Sequence, residues 1–434
     1  MTPLMIGMLG IVALFTLILL QVPVGISMLI VGVTGYAAQT GWAPALAMLA
    51  SQPSGLLSSV DLATVPLFLL MGTFATAAGF STEIYNAAAA VLGHRRGGLA
   101  YATAAGSAVF GAICGSTAAT AATFTKAALP EMLKRGYAPS FAAGTIAAAG
   151  ALKALIPPSV AMILYCIATK TFIFDLFIAA VIPAALTIAL NLLTITVVTR
   201  MAPSAAPVSE RMPWSERWPL VRRTLPVMIL LVAVFVGLYS GIFTVNEAAS
   251  VAAVLAFVFA ALRGRLSASA VWRGMRDCAA ATAMIYTIII GSTIFGAFLT
   301  LAQVPEALIK LLEGAHLSGP AIIVLLLVIY LILGSVFDEI AAMLITLPFV
   351  LPIIMQLGYD PIWWGVVNVV ILEIGMIHPP LGLIAFVIHG MAPKISLTQI
   401  YRGVFPFLIA DFLVLALLVL FPMLALWLPK VMAH

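Results

Sequence analysis

Residue types able to hold a small ion are concentrated in two stretches, GALKALIPPSV at 150–160 and EIGMIHPPLGL at 373–383. Each sets an ionisable side chain, Lys153 in the first and Glu373 and His378 in the second, beside a proline pair inside a long apolar run. A proline within a helix lacks the amide N–H and clashes with the carbonyl one turn back, at about 3 kcal/mol or more. Two in succession, Pro157 with Pro158 and Pro379 with Pro380, unwind the helix locally. In lipid each freed carbonyl costs several kcal/mol, so non-helical backbone survives only where it is buried in protein or lines a polar cavity. Freed carbonyls and half-helix ends can then coordinate a cation.

Oxygen donors and small residues recur in two further stretches. CGSTAAT at 114–120 supplies Gly115, Ser116 and Thr117, and LGSVFDE at 333–339 supplies Gly334, Ser335 and Asp338. Hard oxygen ligands of this kind suit a hard cation such as Na+, and two such tips facing two proline breaks imply two related ion sites.

The ionisable residues admit more than one role. A lysine at mid-membrane costs roughly 2.5 to 3.5 kcal/mol on insertion scales, so Lys153 needs a reason: an anchor for a substrate carboxylate, a pair with an intramembrane acid, or a snorkelling contact. His378 can titrate, coordinate, or hydrogen-bond a loosened carbonyl beside the prolines. Glu373 can anchor the unwound loop through backbone N–H groups, contact substrate, or take part in cation binding. Asp338 and Glu339 are ion-site candidates or helix caps. Asp61, Glu247 and Asp411 are expected to pair at helix ends or between helices, and Trp363, Trp364 and Trp427 to form part of an interfacial aromatic belt.

The elements that must position these residues are transmembrane helices. The chain of 434 residues is 64% hydrophobic and 8% charged, where a soluble domain carries about 25% charged residues. Apolar runs of spanning length recur from end to end, so the lipid bilayer is the expected surroundings. The first Lys or Arg is Arg95, so no basic segment precedes the first apolar run and that helix is expected to be retained. Cys114, Cys166 and Cys278 lie in apolar surroundings without metal-ligand spacing and read as packing residues. The net charge of +5 is accounted for by membrane topology, and nucleic acid is not expected as a partner.

Basic residues cluster at His94–Arg96, in the 200–223 loop and at 263–276, all assigned to the cytoplasmic side. Lys126, Lys134 and Arg135, flanking the first tip, read as topological anchors. Prolines 203, 207, 213 and 219 mark the 200–223 loop as the junction between halves. Two apolar arms from 98 to 133 meet at the first tip, as two full crossings or as a re-entrant hairpin. Arms from 320 to 356 meet at the second, and the charge pattern opens that hairpin to the opposite side. The halves also align at one constant offset: Pro130, Gly136, Tyr137, Pro139, Pro157 and Pro158 correspond to Pro352, Gly358, Tyr359, Pro361, Pro379 and Pro380. Inverted repeats with discontinuous helices are the signature of secondary transporters, which bind near the midplane where the helices break.

On GSTAATAATFTKAALPEMLKRGY, LIPPSV, LPIIMQLGYDPIWWGVV and EIGMIHPPLGL, the chain resembles the large membrane subunit of tripartite ATP-independent periplasmic (TRAP) transporters over nearly its whole length. The resemblance implies an all-α polytopic protein of the bacterial inner (cytoplasmic) membrane, with two inverted-topology repeats, each carrying a re-entrant hairpin and a proline-broken helix. It implies a Na+-driven importer of small organic anions, C4-dicarboxylates and sugar acids among them, with no cofactor beyond Na+ as coupling ion. The implied partners are a small four-helix membrane subunit and a soluble periplasmic substrate-binding protein. The implied mechanism is an elevator, in which 98–171 and 320–393 form the transport domain. The scaffold would comprise 1–97, 172–276 and the 277–319 crossing, with 394–434 as the C-terminal helix. Carried over by motif, the ion sites would use Ser116 and Thr117 with the Pro157–Ser159 break, and Gly334–Asp338 with the Pro379–Gly382 break, beside which His378 is a further candidate ion ligand. Ser116, Thr117, Lys153 and Glu373 would be the candidates to touch substrate.

Other classes fit less well. An enzyme needs a nucleophile with a base or a metal cluster, and the histidines at 94, 316, 378, 389 and 434 show no H-E-x-x-H spacing. No G-x-x-x-x-G-K-[ST] fingerprint is present, so an ion gradient is the expected drive. A proton-coupled carrier of the same architecture, or a channel-like protein, is the alternative; two oppositely oriented hairpins serve alternating access better than one continuous pore.

Overall fold

The structure, a computed structural model, describes residues 2–432, and His434 lies outside them. Among the described residues eight helices are long and apolar enough to cross a membrane, or nine if one bent pair is counted as a single span. The chain opens with α1 (Pro3–Leu19), α2 (Val24–Thr40), α3 (Trp42–Leu57), α4 (Thr64–Ala77) and α5 (Phe80–Leu92). The first hairpin is α6 (Gly98–Gly111) and α7 (Thr117–Lys134). The first broken span is α8 (Pro139–Ala151), a 3-10 turn Leu152–Leu155 and α9 (Val160–Thr169). Next come α10 (Ile173–Met201), α11 (Trp214–Arg223), α12 (Leu225–Tyr239) and α13 (Val245–Leu262), whose first turn is closed by a capping box between Thr244 and Glu247. The second half runs through α14 (Ala268–Leu301), α15 (Val304–Gly314), the hairpin α16 (Gly319–Val336) and α17 (Glu339–Gln356), the broken span α18 (Pro361–Ile377) and α19 (Leu383–Met391), then α20 (Leu397–Leu420) and α21 (Met423–Met432).

The boundary expected at 276/277 falls inside α14, which is unbroken for 34 residues. Arg273 and Arg276 ride on its first turns, because nothing between Ser267, its N-cap, and Leu301 stops a helix.

A shift of 222 residues carries Thr117 onto Glu339 and Pro139 onto Pro361, the first residues of matching helices in the two halves. The repeat extends to side-chain packing. Tyr137 lies parallel to Phe141 at 6.4 Å, and their equivalents Tyr359 and Trp363 stack at 4.7 Å.

The α6 helix has 14 residues, about 21 Å at 1.5 Å per residue, which is short of the roughly 30 Å hydrocarbon core. Its partner α7 starts at a tip that touches the tip of the second hairpin in the protein interior, so the first hairpin is re-entrant. The first arms of both broken spans are enclosed by protein: every residue from Phe141 to Leu155, and every residue from Trp363 to Ile377, is buried, whereas Leu381, Leu383 and Phe386 past the second break are exposed. Small residues make this possible. A Cβ on Gly144 would lie 2.1 Å from the backbone of Gly403, so α8 and α20 cross in backbone contact.

Trp363 and Trp364 are therefore core residues and not belt residues. Trp363 Nε1 donates to the Leu418 carbonyl at 2.8 Å, and Trp364 packs edge-on to Tyr330. Trp427 is 52% exposed on the outer surface.

Candidate functional site

Pro157 steers the residue before it away from helix, and Ile156 is accordingly extended at φ −92°, ψ 115°. The helix closes as the tight Leu152–Leu155 turn, and a cis Pro157–Pro158 bond leads to Ser159. This turn presents Lys153, which is fully buried, to the first hairpin. Its stem lies where a Cβ on Gly111 would be, 2.8 Å away, so only a glycine at the end of α6 admits it. The ammonium donates to the Gly115 carbonyl at 3.2 Å. Ser159 occupies the N-cap position of α9 yet makes no cap bond, and its buried Oγ has no hydrogen-bond partner. An N-cap serine ordinarily accepts from the second or third N–H of its helix, so this hydroxyl faces a different task. Ser116 does cap α7, accepting from Ala119 N at 3.3 Å.

The second junction is built differently. The helix α16 continues to Val336, so Gly334 and Ser335 lie in its last turn and not in the connecting tip, which is Phe337 and Asp338. At the constant offset the repeat pairs Ser116 with Asp338, and Asp338 caps α17 by accepting from Ile340 N at 3.0 Å. The Ser335 hydroxyl is spent on its own helix, donating to Ile332 O at 2.8 Å. Gly375, the repeat equivalent of Lys153, packs directly on the Gly334 backbone, where a Cβ would come within 2.7 Å. Gly382, at φ +63°, donates its N–H to Ser335 O at 3.2 Å. The carbonyls of Pro380 and Leu381, inside the break, share the proton of the Tyr401 hydroxyl, which donates to both. His378 ends α18 with its ring edge-on to Phe412 at 6.1 Å.

Two contacts join the junctions. Thr117 Oγ1 donates to Glu339 Oε1 at 3.0 Å, with both side chains buried. Glu373, on α18, reaches across the repeat and accepts from Leu155 N at 2.9 Å, so it anchors the first break and not the second, which it precedes. Asp411 sits beyond Glu373 on a small cavity shared with Thr187 and Asn191. The sequence reading did not foresee the Thr117–Glu339 contact. The signal was present: equivalent residues of a two-fold repeat can meet only near its axis, and both sit at the first position of a tip helix.

At this centre the last turns of α6, α16 and α18 bring carbonyl oxygens, and α7, α9, α17 and α19 bring their N-termini, of which Ser116 and Asp338 cap α7 and α17. Carbonyls favour a cation and helix N-termini an anion. A cavity of about 480 Å³ beside the second hairpin is lined by Lys170, Ser292, Thr293, Leu344 and Pro348 among others. Ser292 on α14 also donates to Leu344 O of α17 at 2.6 Å.

Residues 11–424 match the family described as tripartite ATP-independent periplasmic transporter, DctM component. The chain belongs to this family. It is 35% identical over 370 residues to the C4-dicarboxylate TRAP transporter large permease protein DctM of Pseudomonas aeruginosa, covering 85% of this chain and 86% of that one. It is 30% identical over 415 residues to the ectoine TRAP transporter large permease protein TeaC of Halomonas elongata, covering 95% and 96%. Among solved structures, the Alcanivorax borkumensis YdaH transporter superposes with a TM-score of 0.59 over 89% of each chain at 17% identity, which shows a shared fold. As a DctM component the protein is a multi-pass permease of the bacterial inner membrane and not an enzyme. Permeases of this family work with a small membrane subunit and a periplasmic binding protein, and carry organic acids by secondary transport.

Proposed function

We propose that the protein is the permease of a Na+-coupled importer of small organic anions, with the coupling ion held where a hairpin tip meets a broken helix. The observation that carries this reading is the convergence of the two tips at Thr117 and Glu339, each tip docked on its own proline break. Carbonyl oxygens and buried carboxylates there supply the hard ligands that Na+ takes, and the facing helix N-termini supply the donors that a substrate carboxylate takes. The substrates named for the relatives, C4-dicarboxylate and ectoine, are both small carboxylates, which supports that substrate class.

Movement follows an elevator pattern. Both hairpins and both broken spans are tied into one body by the Thr117–Glu339 and Leu155–Glu373 bonds, and this body slides against α14 and the helices packed on it. A soluble binding protein delivers the anion, and a four-helix subunit braces the scaffold. Each Na+ crossing about 100 mV releases about 2.3 kcal/mol, against about 1.4 for each tenfold accumulation of a neutral solute, so two or more ions would carry a divalent anion inward.

The test is uptake of labelled C4-dicarboxylates and related acids into proteoliposomes holding the complete three-component system. An inward Na+ gradient is expected to drive accumulation that K+ or choline does not. Uptake that follows an imposed pH gradient and ignores Na+ would instead favour proton coupling, for which the buried acids Glu339, Glu373 and Asp411 are the relevant observation.

A further inference from the structure

We infer that the Lys153 ammonium is a built-in cation that fills the first of the two ion sites, so that the first tip–break junction takes no Na+ and coupling rests on ions bound elsewhere. This deepens the Na+-coupled reading above and rests on it.

The ammonium does what a bound Na+ would do there. It is enclosed by protein and held on the carbonyl of Gly115, the tip residue just before Ser116. Three acids stand at the same centre: Asp338 caps α17 at the second tip, Glu339 meets Thr117 of the first tip, and Glu373 meets Leu155, two residues from Lys153. Among the described residues the ion pairs closer than 4 Å are Arg135–Glu131, Arg263–Glu83 and Arg276–Asp277, so none of the three acids neutralises Lys153 by direct pairing. The ammonium is held by a backbone carbonyl and by no paired carboxylate, the kind of oxygen ligand that a coordinated cation takes at a helix end. An ammonium offers three donors, and one is spent on Gly115 O.

Two further features belong to a cation site that the lysine has taken over. Ser159 Oγ, buried and without a partner, stands at the break beside it in sequence. Its neighbour Val160 packs against Gly115, which places the start of α9 at the same tip. The repeat equivalent of Lys153 is Gly375, which brings no charge, so the second junction has no tethered cation of its own. Lys153 is also too well covered to act as a substrate anchor in this conformation, being 0% exposed.

The experiment is Na+ titration of the purified chain in detergent, at constant ionic strength against choline, reading thermal stability and the number of 22Na+ ions bound. The wild type is expected to bind Na+ with a midpoint slope set by the ions held outside the first junction. Lys153→Ala is expected to melt lower in choline yet respond more steeply to Na+, with a slope larger by about one and one additional ion bound, because Na+ now stabilises the folded state through a vacated site. Lys153→Met, which keeps the stem and removes the charge, should gain the same response, and adding Ser159→Ala to Lys153→Ala should abolish the gain. A Na+ response in both lysine variants identical to wild type would overturn the inference while leaving Na+ coupling intact. If neither lysine variant folds, the wild-type ion count decides: ions that are lost on Ser159→Ala alone would place Na+ at the first junction and sink the proposal, and a count insensitive to that change supports it. No Na+ response in any protein, together with Na+-independent uptake, would overturn both readings.

Discussion

The two tip–break junctions descend from one pattern and close in opposite ways. At the first, a buried ammonium bridges the tip carbonyl of Gly115, and a serine hydroxyl is left without a partner. At the second, closure is backbone on backbone: Gly375 lies on Gly334, and Gly382 donates to Ser335 O, while Tyr401 donates to the Pro380 and Leu381 carbonyls within the break. A charged group and its absence at equivalent positions show that the repeat conserves architecture and lets chemistry diverge. The first junction is held by electrostatics and the second by fit. Substitutions should therefore damage them through different physics.

The largest expected effect is at the second junction. Gly375→Val would drive a side chain into the Gly334 backbone, whose carbonyl carbon lies 2.7 Å from the ideal Cβ, and backbone cannot rotate away. A loss of about 3 kcal/mol in stability is expected, with uptake abolished. Unchanged melting in detergent would show that α16 and α18 have room to part, and would remove the claim that fit alone closes this junction.

Next in size is the bond that joins the two. Thr117→Val leaves the buried Glu339 carboxylate without its hydroxyl donor, at about 1 to 3 kcal/mol. Pairing it with Glu339→Leu should recover part of that loss, since removing both partners leaves no stranded group. A double-mutant cycle measured by thermal unfolding should give a coupling energy of about 1 kcal/mol or more. Strict additivity would mean that the tips merely adjoin and that the two junctions move independently.

Much of this was legible in the sequence. The proline pairs, the Gly-Tyr-x-Pro turns and the constant offset locate both hairpins and both broken helices because each rests on a local backbone constraint. The position of Lys153 drew attention because a mid-membrane lysine is costly, but its partner, a tip carbonyl, has no sequence signal. Trp363 and Trp364 were misplaced because the belt rule presumes lipid contact, and α18 is wrapped by protein on every side. Glu373 was assigned to the break that follows it in sequence, whereas folding brings it to Leu155 on the other repeat. Contacts across the pseudo-symmetry axis are invisible to a reading that treats each repeat alone.

The smallest expected effect tests the register of the second tip. If Gly334 and Ser335 were the counterparts of Gly115 and Ser116, the Ser335 hydroxyl would be an ion ligand, and Ser335→Ala would weaken Na+ binding. In the fold this hydroxyl is tied to Ile332 O at 2.8 Å within its own helix, and only the backbone carbonyl of Ser335 faces the break, through Gly382. Alanine keeps that carbonyl and suits a helix better than serine. Ser335→Ala is therefore expected to shift stability by less than about 0.5 kcal/mol and to leave the Na+ midpoint in place. A clear rightward shift of that midpoint would place the hydroxyl in the ion site, against the bond it makes within α16.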